Sequence, residues 1–149
     1  MEQMTEAGVN LFADQLPSME ELRTLSHTIH ASEASQMKFA QQVEENKSKT
    51  SAHTALATGI GLFMLGRYNE AMEKLRKGQD SKEKFMYLAF AMRRMRRFDE
   101  AIEQLQKALH HGAEAMNVSL EKAATYRQTG QRVGTDSATD RSAARKRNP

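Results

Sequence analysis

The segment LGRYNEAMEKL at residues 65–75 aligns with the segment MRRFDEAIEQL at residues 95–105 without an insertion or a deletion. Each copy places an aromatic residue three positions before an alanine, and a leucine four positions after that alanine. Alanine and leucine at this spacing lie on one face of a helix. A small residue lets two helices approach closely, and the aromatic residue fills the corner between them. The two segments therefore predict two copies of one helical hairpin.

The repeat extends backwards into the helix that precedes each segment. Gly59 and Ala89 each stand seven positions before the turn of their copy, and Ala123 stands seven positions before Gly130. Ala89 and Ala123 are 34 residues apart, whereas Gly59 and Ala89 are only 30 residues apart. We therefore expect the second helix of the first copy to be one turn short, because Gly78 ends it early.

This arrangement resembles the tetratricopeptide repeat, whose period is about 34 residues, with two and a half degenerate units over residues 52–131. Where that family often has tryptophan, this chain has Ala55, Phe85 and Ser119. The resemblance implies an all-α fold: a short solenoid of helical hairpins preceded by an N-terminal helical segment. An unrelated helical bundle with a chance repeat is the alternative. The residues expected to carry the repeat are Gly59, Gly66, Tyr68, Ala71, Leu75, Ala89, Phe98, Ala101, Leu105, Ala123, Tyr126 and Gly130.

The remaining parts of the chain flank this repeat domain. Residues 1–17 are predicted to be a weakly ordered N-terminus, and residues 132–149 a disordered basic tail that has few large apolar residues. Between them, an N-terminal helix is predicted over residues 18–47. It begins at the capping-box pair Ser18 and Glu21, and it is either one long helix or two helices broken near residues 32–35.

Other helix boundaries follow from local signals. Asn69 and Asp99 are predicted to cap the second helices of the two hairpins. Asp80 and Glu83 have capping-box spacing before a further helix, and Gly112 is predicted to end a helix in the left-handed conformation.

Composition excludes several classes of site. The chain has no cysteine, which rules out disulfides and thiolate metal sites. The histidine pairs at residues 27 and 30 and at residues 110 and 111 lack a third ligand, so no metal is expected. No phosphate loop, nucleophile elbow or glycine-rich fingerprint is present, and we expect neither a cofactor nor enzyme activity. Without an evident signal peptide or a long apolar segment, a cytoplasmic location is expected.

The resemblance also implies a concave groove lined by the first helix of each unit. The expected groove residues are Leu56, Ile60, Phe63, Met64, Met86, Phe90, Arg93, Arg94, Leu120 and Arg127. Most are apolar, so something should cover them. The cover is either a partner or the chain's own N-terminal helix, and the sequence leaves both open. Lys and Asn residues that grip terminal carboxylates in some related grooves are replaced here by Leu56 and Ile60, which disfavours that kind of ligand.

The function expected from these features is that of a protein–protein interaction scaffold or adaptor that binds a peptide or helix. Self-association is a further partner class. The alternative is an accessory nucleic-acid-binding protein that uses the basic run Arg93–Arg97 and the C-terminal tail. Nucleic acid is disfavoured, because the net charge of +3 equals that of the tail alone and no aromatic residues are interleaved with the basic run.

Overall fold

The computed structural model describes residues 9–130, and in this range it contains seven α-helices and no strand. The predicted all-α class is thus confirmed. No helix in this range is long and apolar enough to cross a bilayer. The tail predicted at residues 132–149 and the first eight residues lie outside the described range. The helices are α1 (Met19–Ile29), α2 (Glu33–Asn46), α3 (Ala52–Met64), α4 (Tyr68–Arg76), α5 (Lys82–Arg94), α6 (Phe98–His110) and α7 (Ala115–Gln128).

The N-terminal segment forms two helices. The prediction of a single long helix over residues 18–47 was therefore wrong, and the alternative of two helices separated by a break is confirmed. The capping box at the start of α1 is present: Glu21 N donates to Ser18 Oγ, and Ser18 N donates to the Glu21 carboxylate. After Ile29 the chain leaves the helix, and Ser32 adopts an extended backbone and accepts a hydrogen bond from Ser35 N. A serine in this geometry starts a new helix, which separates α2 from α1.

The turn between α3 and α4 has the same geometry as the turn between α5 and α6. In the first, Gly66 has φ of +82° and Arg67 N donates to Leu62 O at 2.9 Å. In the second, Arg96 has φ of +62° and Arg97 N donates to Met92 O at 2.8 Å. A left-handed residue followed by this longer hydrogen bond is the Schellman ending of a helix. The sequence repeat is therefore also a repeat of backbone conformation.

The predicted caps at Asn69 and Asp99 were wrong, because α4 and α6 each begin two residues earlier than these caps imply. Their N-cap positions are Arg67 and Arg97, neither of which makes a side-chain cap hydrogen bond. Each arginine instead donates from Nε to the glutamate three residues later, Arg67 at 2.8 Å and Arg97 at 2.6 Å. Asn69 and Asp99 thus lie in the first helical turn, where Asp99 still favours the positive helix end.

The predicted capping box of Asp80 and Glu83 was also wrong, since Ser81 caps α5 by accepting from Lys84 N. Asp80 accepts a hydrogen bond from Lys84 Nζ at 2.8 Å instead. The same ammonium group donates to the carbonyl oxygens of Arg76 and Gly78, at the end of α4. Lysine at this place satisfies carbonyls that a longer helix would have used.

Helix α4 is one turn shorter than α6, with nine residues against 13, as the 30-residue spacing predicted. Gly78 follows its end and lies against α3. A Cβ at Gly78 would lie 3.0 Å from Leu56 Cβ and 3.3 Å from Leu56 Cα. The glycine is therefore required by the close approach of two backbones.

The core lies between helices that are consecutive in the chain. The larger contacts join α1 with α2, α2 with α3, and so on to α7, with α3 touching α5 as well. The small residues of the repeat lie at these contacts: a Cβ at Gly59 would be only 2.7 Å from Leu75 Cγ. Of the remaining repeat residues, the buried ones are Ala71, Leu75, Ala89, Ala101 and Leu105, and the half-buried ones are Tyr68, Phe98, Ala123 and Tyr126.

We predict that Gly59→Ala lowers the free energy of unfolding by about 1–2 kcal/mol, because the new methyl group overpacks the contact between α3 and α4. Its Cβ would also lie 2.9 Å from Leu75 N, which cannot move without shifting α4. Urea denaturation measures the change. Ser119→Ala, on the exposed face of α7, is the control and should stay within about 0.5 kcal/mol. A Gly59→Ala protein as stable as the wild type would contradict this packing.

A second prediction concerns the left-handed residue Arg96. Its conformation costs a non-glycine residue about 1–2 kcal/mol, part of which glycine recovers. Arg96→Gly should therefore be more stable than Arg96→Ala by about 1 kcal/mol. The alanine variant is the proper reference, since both variants lose the contact of the guanidinium with the Phe98 ring. Equal melting temperatures of the two variants would show that the turn is not strained.

Candidate partner-binding cleft

Residues 9–31, called here the N-terminal arm, lie across the first helices of both hairpins. Near the start of the arm, the Ala13 carbonyl oxygen accepts a hydrogen bond from His53 Nε2 at 2.7 Å, at the beginning of α3. Near its end, His30 Nε2 donates to Met64 O at 2.8 Å, at the end of α3. Leu11 is buried close to Gly61, in the middle of the same helix. The arm thus follows α3 along its length.

Helix α1 of the arm also reaches α5. Its apolar residues Leu22, Leu25 and Ile29 are buried. Burial raises the pKa of the Tyr87 hydroxyl on α5 well above its ordinary range, an effect that the positive charge of Arg23 on α1 partly opposes. A charge acts on a buried hydroxyl in this way only from nearby. Met19 and Arg23 of α1 also line the same cavity as Met86 and Phe90 of α5, which places α1 beside this helix.

Four aromatic rings gather on this face of the molecule. The Phe63 ring centroid lies 5.6 Å from that of Tyr68, 5.5 Å from Tyr87 and 5.9 Å from Phe90. Tyr87 and Phe90 meet edge to face at 5.2 Å. Pairs at these distances are attractive beyond their buried area, so the cluster helps to hold α3, α4 and α5 together.

The residues predicted to line a groove are distributed between core and surface. Leu56, Ile60, Met64 and Met86 are buried, while Phe63, Phe90 and Arg93 are half-buried. Arg94, Leu120 and Arg127 are exposed. The predicted groove residues therefore do not form one open surface, and Leu56 lies against Gly78 at the end of α4. The N-terminal arm, one of the two covers that the sequence left open, lies beside Gly61 of α3 and beside Met86 and Phe90 of α5.

One cleft, of about 540 Å³, lies between α1, α5 and α7, on the side where the predicted groove residues of α5 and α7 are found. Met86 and Phe90 form its floor, and Leu120 on α7 stands beside them with 58% of its surface exposed. Met116, one turn earlier on α7, is 66% exposed. The full lining consists of Ser18, Met19, Arg23, Lys82, Glu83, Met86, Phe90, Gly112, Ala113, Glu114, Asn117, Leu120 and Glu121.

Several of these lining residues were not foreseen from the sequence. Met19 and Arg23 form the α1 wall of the cleft, and Glu121 forms part of the α7 wall. The available signal was the charge of the N-terminal region: residues 1–50 hold eight acidic and four basic residues, whereas residues 51–130 hold nine acidic and 13 basic residues. Opposite net charges favour contact between the two regions.

The arginines of the basic run are engaged within the molecule. Arg93 bonds Glu121 at 2.9 Å, and Arg97 bonds Glu100 at 2.6 Å. Arg94 donates to the Tyr68 hydroxyl at 3.1 Å and lies over the Phe63 ring. Arg96 lies over the Phe98 ring. Guanidinium groups used in this way present less free positive charge than the sequence run suggests.

Comparison with known proteins adds no further constraint, because no family model, curated protein or solved structure matches the chain. Among residues 9–130, no three acidic or histidine side chains are grouped so that they could hold a metal ion. The geometry of the cleft therefore carries the functional argument.

The burial of Tyr87 gives a pH-dependent prediction. In the unfolded chain Tyr87 ionises near pH 10, whereas the fold holds it neutral because its pKa is raised. Its contribution to stability is thus complete below about pH 10 and falls as the pH rises further. Tyr87→Phe should flatten the decline of the free energy of unfolding at alkaline pH, with Tyr126→Phe on α7 as control. Identical alkaline profiles of wild type and Tyr87→Phe would exclude this burial.

Proposed function

We propose that this protein is a helical interaction module, of tetratricopeptide-like architecture, that binds a segment of another protein in the cleft between α1, α5 and α7. The observation that carries the proposal is the open cleft with its apolar floor of Met86 and Phe90. Its volume lies in the range of ligand-binding clefts, about 300–1,000 Å³. Apolar side chains line its floor, and charged residues surround them.

The energetic argument concerns Leu120 and Met116. Each large apolar side chain that is removed from water contributes about 1.5–3 kcal/mol. Both residues lie on the same side of α7, one turn apart, so a single partner segment that enters the cleft covers both. Methionine adapts its shape to different partners: Met19 and Met86 line the cleft, and Met116 lies one turn from Leu120 on α7.

The tetratricopeptide-like architecture is supported by the paired turns. The turn at Gly66 and the turn at Arg96 share backbone conformation and hydrogen bonds, and Gly112 and Gly130 also have positive φ at helix ends. Contacts run mainly between consecutive helices, which is typical of repeat proteins. In such proteins, the first helices of the units form the binding surface, and here α5 and α7 border the cleft.

A protein partner is favoured over nucleic acid by the state of the arginines. Arg93, the arginine of the basic run nearest to the cleft, is held by Glu121, and its side chain is only 16% exposed. Around the cleft, Arg23 and Lys82 are offset by Glu83 and Glu114. A mixed charge rim with an apolar floor suits a polypeptide, whereas a phosphate backbone requires an excess of free cations.

The experiment that tests this proposal compares proteins captured by the immobilised full-length chain and by its Leu120→Glu variant. A carboxylate at this place charges the apolar cleft, so specific partners should be lost. The matched control is Met37→Glu: Met37 is 66% exposed on α2, away from the cleft. Both substitutions are at exposed positions and should change stability by less than about 0.5 kcal/mol.

Three outcomes can be separated by quantitative mass spectrometry of the retained proteins. Loss of the same proteins with Leu120→Glu but not with Met37→Glu supports the cleft. Equal capture by all three chains excludes the cleft as the binding site. Retention of nucleic acid that falls steeply as salt is raised would favour the alternative function.

A further inference from the structure

The surface beside the cleft already holds a helix, α1, whose sequence shows what this surface accepts. Leu22, Leu25 and Ile29 follow an i, i+3, i+7 spacing and are buried. The opposite side of α1 is exposed, and its first turn carries Glu20 and Glu21. We call the surface of α3 and α5 on which α1 lies the seat of α1. This surface accepts an amphipathic helix with one narrow apolar stripe.

Two histidine hydrogen bonds fasten the arm to α3. Because a carbonyl oxygen can only accept, Nε2 of His53 must donate to Ala13 O and Nε2 of His30 must donate to Met64 O. The two bonds lie at opposite ends of α3, one before α1 and one after it. They hold the arm at both ends without requiring close approach of the α1 backbone to α3.

Charge favours an acidic occupant of this seat. The N-terminal arm, residues 9–31, holds three acidic residues and one basic residue, whereas α3 and α5 together hold one acidic and four basic residues. The occupant that the chain supplies thus complements the helices on which it lies. Any competing segment would gain from the same sign of charge.

The seat of α1 also opens directly onto the cleft. Met19 and Arg23 of α1 form one wall of the cleft. Met86 and Phe90, which form its floor, lie on α5, the helix beside α1. A segment entering between α1 and α7 therefore meets residues that the arm covers only in part.

We propose that the partner binds as an acidic amphipathic helix with large apolar residues at i, i+3 and i+7, and that it takes the seat of α1 on α3 and α5. The N-terminal arm is its intramolecular competitor, fastened by His30 and His53. This inference rests on the proposed function, since it specifies the partner for the same face of the molecule.

The test uses the full-length chain and a fluorescent peptide with the sequence of residues 9–31. Binding is measured by fluorescence anisotropy. The variant His30→Ala weakens only the arm in the chain, because the peptide keeps its own histidine at this position. It should bind the peptide about fivefold more tightly than the wild type, given the usual strength of one hydrogen bond. The matched control is His27→Ala, because His27 is exposed on the same arm, as His30 is, but makes no hydrogen bond to α3. It should bind like the wild type.

Peptide variants define the ligand. A peptide with Leu22→Asp and Leu25→Asp should not bind, because it lacks the apolar stripe. A peptide with Glu20→Lys and Glu21→Lys should bind more weakly than the parent, and equal binding would remove the requirement for an acidic helix.

A second opening variant, Ile29→Asp, puts a carboxylate into the seat and forces the arm out. Arm release is followed independently by the ultraviolet titration of Tyr87, which should ionise at lower pH once it is uncovered. Release in either variant without tighter peptide binding overturns the inference, as does failure of both variants to release the arm. A wild-type dimer that exchanges arms and excludes the peptide also overturns it, because the occupant is then a second copy.

This outcome is distinct from failure of the proposed function. If Leu120→Glu still abolishes partner capture while the peptide never binds, the cleft is the partner site and the seat of α1 is not. If the peptide binds and Leu120→Glu has no effect on capture, the seat is a helix-binding surface but the cleft is not where partners enter.

Discussion

The structure depends on one backbone conformation, the left-handed residue that ends α3 and α5. With φ positive at Gly66 and at Arg96, the chain reverses in three residues and lays the next helix against the one before it. Because both turns have the same hydrogen bonds, both hairpins use the same face of their first helix for this contact. The opposite face of α3 and α5 is thereby left for something else, and the remaining architecture follows from how it is covered.

Close packing between the two helices of each hairpin stabilises this reversal of the chain. Gly59 has no side chain, which lets Leu75 reach the backbone of α3, and Ala89 and Ala101 are buried in the second hairpin. In each hairpin, one face of the first helix is fully occupied by its contact with the second helix. The apolar residues on the other face, such as Ile60 and Met86, therefore require a separate cover. The N-terminal arm supplies it, held by side chains and by the hydrogen bonds of His30 and His53.

The elements predicted most accurately were those fixed by local chemistry. The repeat, the short α4 and the Ser18 capping box all follow from residues adjacent in sequence. The predicted caps at Asn69, Asp99 and Asp80 were wrong because other side-chain pairs, also close in sequence, occupy the helix starts: Glu70 and Glu100 bind the arginines, and Lys84 binds Asp80. The cleft was predicted only in part. Its α1 wall depends on long-range docking of the arm, of which charge balance was the only trace.

The position of the cleft follows from the path of α1. This helix begins near Lys82 at the start of α5 and ends at Met64, where α3 ends. Its 11 residues span about 16 Å, enough to cover two neighbouring helices packed about 8–10 Å apart. Nothing from α1 extends over α7, although α7 carries Leu120 34 residues after Met86, at the corresponding place of the next unit. Met86 is buried and Leu120 is exposed, because the N-terminal arm lies beside α5 but does not extend over α7. The cleft lies where the arm stops covering these helices. A partner that binds there therefore contacts both the exposed apolar surface of α7 and the edge of α1.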